Sequence, residues 1–377
     1  MVRAPLDIIL AAGGTGGHMI PAQALAEELK RRGHNPLLLT DRRGMRFARL
    51  FDGVTIHEIA SGRMQGGILG RVAALFGVVR GTWSARRLFR RVRPAAVVGF
   101  GGYPSLPAGF AAAWTGTPLC LHEQNAVFGR ANRFLARMAK LIALSFEGTC
   151  RVPKKPRAVI TGNPVRSTVA ALHDRDFAAF NVDSIMRILV IGGSQGARIL
   201  SDVVPSAISA LPRALLNRLQ ITQQCREEDM DRVRARYEEI GVAAEITPFI
   251  DDLPARLEWT HLVISRAGAS TVSELAAAGR PAVLVPLAIA TDDHQTANAG
   301  EMARSGGGWV MAERDFTPPA LAKLIAGLAR APERLREAAD AARKAGRPGA
   351  AHKLADAVEQ MILVSGPVAA LNGGPRP

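Results

Sequence analysis

Two stretches of the chain repeat one local plan, in which a hydrophobic run enters a glycine-rich turn and then a helical segment. They read DIILAAGGTGGH (residues 7–18) and RILVIGGSQGAR (residues 187–198). After each stretch, short apolar runs alternate with longer amphipathic segments, which is typical of a parallel α/β sheet. The repeat therefore predicts two Rossmann-like α/β domains, each with ligand-binding loops at the carboxyl ends of its strands.

The division of the chain is predicted from a change in composition. Its 377 residues suit two domains, and the proline-rich and basic stretch RVPKKPRAVITGNPVRS (residues 151–167) reads as a connection. The expected site is the cleft between the domains. The predicted parts are a first domain at 1–163, a second at 164–348, a helix at 349–363 that packs back on the first domain, and a flexible tail at 364–377. Two helices of the first domain are expected at Pro21 to Arg32 and Phe128 to Met138.

The overall composition narrows the classes of partner. Forty-eight Lys and Arg against 33 Asp and Glu give a net charge of +15, so an anionic partner is expected. The three cysteines are widely separated, which argues against a disulfide framework and a structural zinc site. No nucleic-acid-binding module is recognisable, and a nucleic-acid partner is not expected.

Residues 62–93 combine large apolar side chains with many arginines and contain no acidic residue. A basic amphipathic segment of this kind suits an interface with anionic lipid. The alternative is a helix that packs into the core and exposes an arginine face to solvent. The sequence of this segment leaves both interpretations open.

The opening loop GGTGGH resembles a dinucleotide-binding turn but has the wrong glycine spacing, since the third glycine of G-x-G-x-x-G is absent. Asp41 stands near the position of a ribose-binding acid, but two arginines follow it directly. The turn still offers backbone N–H groups to an anion at a helix start. His18 lies at that start and is a candidate general base, or else a hydrogen-bonded structural residue.

Three later loops have a similar character. The segment GGSQGAR offers Ser194 and Gln195 as donors to a phosphate, and FGGYPS (residues 100–105) is another glycine turn after a strand. In SRAGASTVSELAAAGRP (residues 265–281), Thr271 and Glu274 fit a capping box, while Glu274 is also placed to bind a ribose diol.

The polar loop TDDHQTANA (residues 291–299) follows the apolar run AVLVP. Its consecutive carboxylates and adjacent histidine do not project toward one point, so a metal site is not expected there. We expect this loop to line the cleft, with Gln295 hydrogen-bonding a sugar hydroxyl.

The motifs GGTGGH, GFGGYPS, HEQN, GNPVR, GGSQGAR, SRAGASTVSELAAAG and HQTANA occur in this order between residues 13 and 299. In this the chain resembles the bacterial N-acetylglucosaminyltransferase family that converts lipid I into lipid II in peptidoglycan synthesis. The resemblance implies a GT-B fold, a UDP-N-acetylglucosamine donor, an undecaprenyl-diphosphate acceptor and inverting transfer without a cofactor or metal. It also implies a peripheral location on the cytoplasmic face of the inner membrane, contact with its anionic surface, and partners among other cell-wall synthesis proteins.

The resemblance also implies site residues, motif by motif. His18 is the candidate base, with Glu123 as the runner-up, and Arg166 suits phosphate charge. Where the family often has DRQQYWNA, this chain has DDHQTANA, which lacks the aromatic pair but keeps the glutamine. The implied donor contacts are Thr15, Gly16, Gly17, Asn125, Arg166, Ser194, Ile250, Ala269, Ser270, Thr271, Val272, Ser273, Glu274 and Gln295.

Four alternatives stay open at this point. A UDP-sugar 2-epimerase or a GT-B transferase for another lipid acceptor would share the architecture. A nicotinamide oxidoreductase is disfavoured by the glycine spacing, and a non-catalytic scaffold would leave the donor unconsumed.

Overall fold

The computed structural model describes residues 4–62, 68–193 and 196–366. The chain forms two compact units. Unit 1 comprises Met1–Arg166 together with Gly349–Pro377, and unit 2 comprises Ser167–Pro348. The division falls three residues beyond the predicted boundary between 163 and 164.

Unit 1 is built on seven strands. These are β1 (Asp7–Ala11), β2 (Asn35–Thr40), β3 (Thr55–Glu58), β4 (Ala96–Gly99), β5 (Leu119–Glu123), β6 (Leu141–Leu144) and β7 (Ala158–Ile160). Its helices before the division are α1 (Gly16–Arg31), α2 (Ile68–Val92), α3 (Ser105–Thr115) and α4 (Arg130–Leu135), with 3₁₀ turns at Gly44–Leu50 and Ala136–Met138.

Unit 2 is built on six strands. These are β8 (Met186–Ile191), β9 (Leu219–Gln224), β10 (Ala243–Thr247), β11 (Leu262–Ser265), β12 (Ala282–Leu284) and β13 (Gly308–Val310). Its helices are α5 (Ser167–Ala170), α6 (Arg198–Ser209), α7 (Arg213–Leu216), α8 (Met230–Ile240), α9 (Leu253–Trp259), α10 (Ala269–Ala277), α11 (His294–Arg304), α12 (Pro318–Arg330) and α13 (Pro332–Ala345). Short 3₁₀ turns lie at Ala171–Asp174, Glu227–Asp229 and Thr291–Asp293, and α14 (Ala350–Ser365) returns the chain to unit 1.

Both sheets are parallel and share one strand order around their centres. Unit 1 has the order β3-β2-β1-β4-β5-β6-β7, and unit 2 has β10-β9-β8-β11-β12-β13. The central strands are mostly apolar and buried because helices cover both faces of a parallel sheet. In each unit the order reverses beside the first strand, which confirms the predicted pair of Rossmann-like domains and places ligand-binding crevices at the carboxyl ends of β1 and β8.

Several predicted bounds were wrong. Helix α1 begins at Gly16 rather than Pro21, because Thr15 already has the extended backbone of an N-cap (φ −140°, ψ 161°) and Pro21 lies inside the helix. Phe128 is not helical, since its N–H donates to the carbonyl of Cys150 at 3.0 Å. The predicted connection contains β7, a three-residue edge strand without a fully buried residue.

Helix α14 packs on α1 within unit 1. Its buried residues Leu354, Ala355, Val358 and Met361 join the same apolar cluster as β1 and α1. Arg32, the C-cap of α1, fixes the pairing through ion pairs with Asp356 (2.8 Å) and Glu359 (3.0 Å) of α14. The helix continues to Ser365 and stops before Gly366, whose φ of +73° suits glycine. Residues 364 and 365, predicted to be tail, are therefore helical, and residues 367–377 lie outside the described chain.

Candidate functional site

The first predicted site loop leaves β1 and enters α1. Thr15 is the N-cap, Gly16 and Gly17 form the first turn, and His18 is half-buried. The His18 Nδ1 atom lies 3.0 Å from the carbonyl oxygen of Gly13. Because a carbonyl can only accept, this bond requires a proton on Nδ1 and places the lone pair of a neutral ring on Nε2. The loop thus holds His18 in the tautomer that a general base acting through Nε2 requires.

A glycine turn after β4 packs directly against the His18 ring. Gly101 and Gly102 have φ values of +82° and +73°. A Cβ built at Gly102 would lie 3.3 Å from His18 Nδ1 and 3.1 Å from the oxygen of Gly13. The FGGYPS motif is therefore a close-packed support for the histidine, and its glycines are needed for both conformation and space.

Asp41, considered at first as a ribose ligand, is a structural residue. It is buried, and its carboxylate accepts hydrogen bonds from the backbone N–H of Gly44 at 2.9 Å and the hydroxyl of Ser61 at 3.0 Å. Gly13 packs against the same carboxylate, since a Cβ there would lie 2.9 Å from it. Asp41 therefore braces the loop that carries His18.

Glu123, the second candidate base, ends β5 and is 2% exposed. One carboxylate oxygen accepts from the backbone N–H and the side-chain amide of Asn125, both at 3.1 Å. The other accepts from the N–H of Gly129 and the amide of Asn132, both at 2.8 Å. Four donors engage this buried carboxylate, so the geometry favours a positioning role that orients Asn125 over a role as base.

The HEQN and GNPVR motifs meet in unit 1. His122 Nε2 lies 3.1 Å from the carbonyl oxygen of Gly162, and its Nδ1 lies 2.9 Å from the side-chain amide of Gln124. Burial lowers the pKa of His122 to about 4, so the ring is neutral and donates to Gly162. Next to Gly162, Asn163 is buried, and neither polar atom of its amide has a partner within the described chain. Asn163 was not predicted as a site residue, although its place in GNPVR was a usable signal. Arg166 in the same motif is half-buried.

In unit 2 the glycine turn after β8 leads into α6. Ser194 and Gln195, the predicted phosphate donors, lie outside the described residues. The flanking backbone is tightly packed, since a Cβ at Gly192 would lie 2.6 Å from the nitrogen of Ala197. The side-chain amide of Gln224 donates to the carbonyls of Gly193 (3.3 Å) and Pro248 (3.2 Å), and so ties this turn to the loop after β10.

The predicted capping box at Thr271 and Glu274 is wrong. Helix α10 begins at Ala269 with Gly268 as its N-cap, so Thr271 lies inside the first turn and Glu274 in the second. The reason is that Gly268 already has the extended backbone of a cap, with φ −64° and ψ 142°. Because Glu274 lies in the second turn, it is not a capping residue. Its carboxylate is buried, with 4% exposure. The other predicted contacts, Ala269, Ser270, Thr271, Val272 and Ser273, occupy the first turn and a half of α10. The N–H groups of the first turn, up to Thr271, point toward the N-terminal end of the helix, whereas that of Val272 already donates to the carbonyl of Gly268 at 2.9 Å.

The loop between β12 and α11 is held by a bridge that the sequence did not indicate. Arg266 reaches the carbonyls of Val285 and Pro286, both at 3.3 Å, and pairs with Glu313 at 3.0 Å. Glu313 also accepts from the N–H of Ala288 at 2.9 Å; these bonds and Arg266 outweigh burial and hold the pKa of Glu313 below its usual range. The oxygen of Gln295 accepts from the N–H of Leu287 at 3.0 Å, which leaves its amide nitrogen as the group suited to donate to a sugar.

Beyond β10, the predicted contact Ile250 has a buried side chain, whereas the ring of the adjacent Phe249 is 61% exposed. The aromatic surface in this loop therefore belongs to Phe249, which was not predicted as a site residue. Within the described ranges, no group of three or more His, Cys, Asp or Glu side chains is arranged to hold a metal ion.

Helix α2 exposes an apolar stripe. Val72, Leu75, Phe76, Val79 and Trp83 recur at helical spacing and are 48–69% exposed. Trp83 contacts the exposed Trp114 of α3 edge to face at 5.8 Å, and the Arg86 guanidinium lies 4.2 Å from the Trp114 ring centre. We call these six apolar residues the α2–α3 apolar surface; residues 63–67 of the basic segment lie outside the described chain. Across the helices of the described residues, none combines the length and apolar character needed to span a bilayer.

Comparisons with known proteins agree on one family. Residues 8–144 match the model of the glycosyltransferase family 28 N-terminal domain, and residues 187–361 match that of the family 28 C-terminal domain. A protein of Zymomonas mobilis is 52% identical over 359 residues, covering 94% of this chain and 92% of its own length. One of Rhodospirillum centenum is 52% identical over 354 residues, covering 93% of each. Both are named UDP-N-acetylglucosamine--N-acetylmuramyl-(pentapeptide) pyrophosphoryl-undecaprenol N-acetylglucosamine transferase.

A solved structure supports the same conclusion. The crystal structure of Acinetobacter baumannii MurG is 34% identical, covers 94% of this chain and 100% of its own, and superposes with a TM-score of 0.76. The two family 28 models, the parallel sheets of both units and this neighbour establish the GT-B fold. The chain therefore belongs to glycosyltransferase family 28 and, within it, to the UDP-N-acetylglucosamine--N-acetylmuramyl-(pentapeptide) pyrophosphoryl-undecaprenol N-acetylglucosamine transferases.

Proposed function

We propose that this enzyme transfers N-acetylglucosamine from UDP-N-acetylglucosamine to the 4-hydroxyl of the muramoyl sugar of undecaprenyl-diphospho-N-acetylmuramoyl-pentapeptide, lipid I, and so forms lipid II. The observation that carries the proposal is the 52% identity, over nearly the whole chain, with relatives named for this transfer. The same names do not favour the 2-epimerase alternative. The transfer inverts the anomeric carbon as UDP leaves.

We assign donor binding mainly to unit 2. The first turn of α10 supplies backbone N–H groups and a positive helix end for the leaving diphosphate. Glu274 accepts from the ribose diol, Gln295 donates to the sugar, and the loop of Phe249 and Ile250 holds the uracil. Arg166 adds positive charge, and Ser194 belongs to the same donor set.

We assign the acceptor and the base to unit 1. The support comes from the His18 tautomer, which directs its lone pair to Nε2, and from the rigid packing of Gly101 and Gly102 against the ring. A base removes the proton from the muramoyl hydroxyl as that oxygen attacks, which is a task suited to a neutral imidazole. Thr15, Gly16, Gly17 and Asn125 of unit 1 belong to the same set of donor contacts in this proposal.

Transfer of labelled N-acetylglucosamine to a lipid I analogue tests the function. We expect a labelled lipid product, with UDP released in equal amount and no need for a divalent ion. A labelled UDP-sugar epimer formed without acceptor would instead identify an epimerase, and an unconsumed donor would identify a scaffold. Glu274→Ala should raise the donor KM, whereas Glu301→Ala, on α11 and paired with Arg304, serves as the matched control.

The membrane location is proposed from the α2–α3 apolar surface. Five of the six exposed apolar side chains lie on α2, and the same helix carries Arg80, Arg86, Arg87 and Arg90 among and after them. This combination of apolar and basic side chains is the one that an anionic bilayer attracts. Vesicle flotation should show binding to phosphatidylglycerol vesicles and little binding to phosphatidylcholine vesicles. Leu75→Ser with Phe76→Ser should lower the bound fraction, while Leu363→Ser with Val364→Ser, at exposed positions of α14, should not. Equal binding by both double variants would refute this assignment.

A further inference from the structure

A turn that contains four arginines follows β2 in unit 1. It reads RRGMRFARL (residues 42–50), and Gly44–Leu50 form a 3₁₀ helix. Strands β1 and β2 are neighbours and parallel, so this turn leaves the same edge of the sheet as the loop that carries His18. A Cβ built at Gly44 would lie 3.3 Å from the Cα of Gly13, whose carbonyl oxygen is 3.0 Å from the His18 ring. The turn therefore lies beside the candidate base.

The three-residue period of this helix places three of the arginines in one row. Side chains three positions apart eclipse one another in a 3₁₀ helix, and each residue advances the chain by about 2 Å. Arg43, Arg46 and Arg49 have this spacing, and Arg43 already has helical backbone angles (φ −75°, ψ −37°). The row is therefore roughly 12 Å long. Other faces of the helix are anchored, because Phe51 is buried in the core of unit 1 and Phe47 packs against the same apolar cluster. We call these three residues the arginine row.

The arginine row has no counter-charge of its own. Arg43 is half-buried and the other two members are exposed, and none of the three side chains forms a hydrogen bond or ion pair with another residue of the described chain. The nearest acid in sequence, Asp41, is buried and already accepts from Gly44 and Ser61. Three like charges at a spacing of roughly 6 Å repel one another, so an anion that bridges them is favoured.

The chemistry of the proposed acceptor indicates which anion this is. In a muramoyl sugar the peptide is carried by the ether oxygen on C3, next to the C4 hydroxyl that attacks, whereas the diphosphate on C1 lies across the ring. The charged substituent nearest to the base is therefore the peptide. Its amino end is joined to the lactyl carboxyl group, so its other end is a free carboxylate. A pentapeptide extends to roughly 17 Å, which is long enough to lie along a row of roughly 12 Å.

We propose that the arginine row binds the carboxylates of the acceptor's peptide stem, an inference that rests on the transferase function proposed above. The muramoyl hydroxyl lies at His18 while the stem runs along the row. A guanidinium group offers the paired N–H donors that match a carboxylate. Because exposed ion pairs are individually weak, the row acts on the affinity for the acceptor and not on the chemical step. The arginine row thereby selects acceptors that carry an acidic stem.

Acceptor kinetics with two matched, water-soluble lipid I analogues test this proposal. Both carry the same short lipid, diphosphate and sugar, but the carboxyl groups of the peptide are free in one and converted to carboxamides in the other. We expect the wild type to have the lower acceptor KM for the free acid, and the difference to shrink as the salt concentration rises. Arg46→Gln should raise the KM for the acid by about two- to fivefold, and the triple variant Arg43→Gln, Arg46→Gln, Arg49→Gln by about tenfold or more. Neither should change the KM for the amide or for the donor.

Arg137→Gln is the matched control. Arg137 is an exposed arginine of the 3₁₀ turn at Ala136–Met138, which precedes β6 and so lies at the other edge of the sheet. This variant should keep the wild-type KM for both analogues. An equal rise in KM for the acid and the amide in the triple variant would overturn the proposal, because the arginine row would then act on the diphosphate or the lipid. A wild type that does not distinguish the two analogues would also overturn it. Both results leave transfer itself intact, whereas no transfer to either analogue would refute the proposed function and this inference with it.

Discussion

Glu123 gives the sharpest test of how the unit 1 site is organised. Its two carboxylate oxygens each accept two hydrogen bonds, at 3.1 Å from Asn125 and at 2.8 Å from Gly129 and Asn132. Glu123→Gln replaces one oxygen by an NH₂ group, so whichever way the amide turns, two partly or fully buried donors lose their acceptor. At roughly 1–3 kcal/mol for each unsatisfied group, the loss is about 2–6 kcal/mol. For a domain of this size, that corresponds to a fall in Tm of roughly 5–20 °C.

The assay combines thermal unfolding with a pH–rate profile measured well below the variant's Tm. A positioning role predicts a large loss of stability and a raised donor KM, through the displaced Asn125, with the shape of the pH profile retained. A role as base predicts the reverse, namely an unchanged Tm, a collapsed kcat and a lost limb of the profile. That second pattern would refute the reasoning from hydrogen bonds. Glu58→Gln, at the exposed end of β3, is the matched control and should change neither quantity.

Two further predictions concern the surroundings of this site. Gly102→Ala should lower the free energy of unfolding by about 1–2 kcal/mol, because alanine is strained in the left-handed backbone conformation. It should also lower kcat, because the new Cβ contacts the His18 ring. Gly116→Ala, at a position with φ +72° and open space, is the control and should show the same loss of stability in urea titrations with an unchanged kcat. At the α1–α14 contact, Arg31, Arg32 and His352 outweigh burial and lower the pKa of Glu28 from 4.5 to about 2. The stabilisation that the Glu28 carboxylate gives to the folded state is therefore present above about pH 4.5 and is lost as the pH falls toward 2. In acid titrations, the free energy of unfolding of Glu28→Gln should fall less steeply in this range than that of the wild type or of the control Glu27→Gln. The same dependence on pH in all three proteins would contradict this prediction.

The sequence predicted the fold well where physical signals are local. Strands such as β1 and β8 are buried on both faces and read as continuous apolar runs, so their positions and the two-domain plan were recognisable. The edge strands β3, β7 and β13 contain no buried residue and were missed, since they carry neither a continuous run nor a clear alternation.

The site was predictable to a smaller extent, because only those parts that lie within one short stretch of sequence could be recognised. The turns that carry His18 and Asn125 were found because each lies within one short motif. The bridge between Arg266 and Glu313 joins residues 47 positions apart. Such contacts depend on tertiary packing, which also overrode the capping box at Thr271 once Gly268 became the cap.

The turnover of His18→Ala at saturating donor and lipid I analogue tests the assignment of His18 as the base. We expect a kcat lower by about 10²–10⁴-fold, the usual contribution of a general base, with the donor KM and the Tm close to those of the wild type. A kcat near the wild-type value in a folded His18→Ala protein would contradict the assignment of His18 as the base.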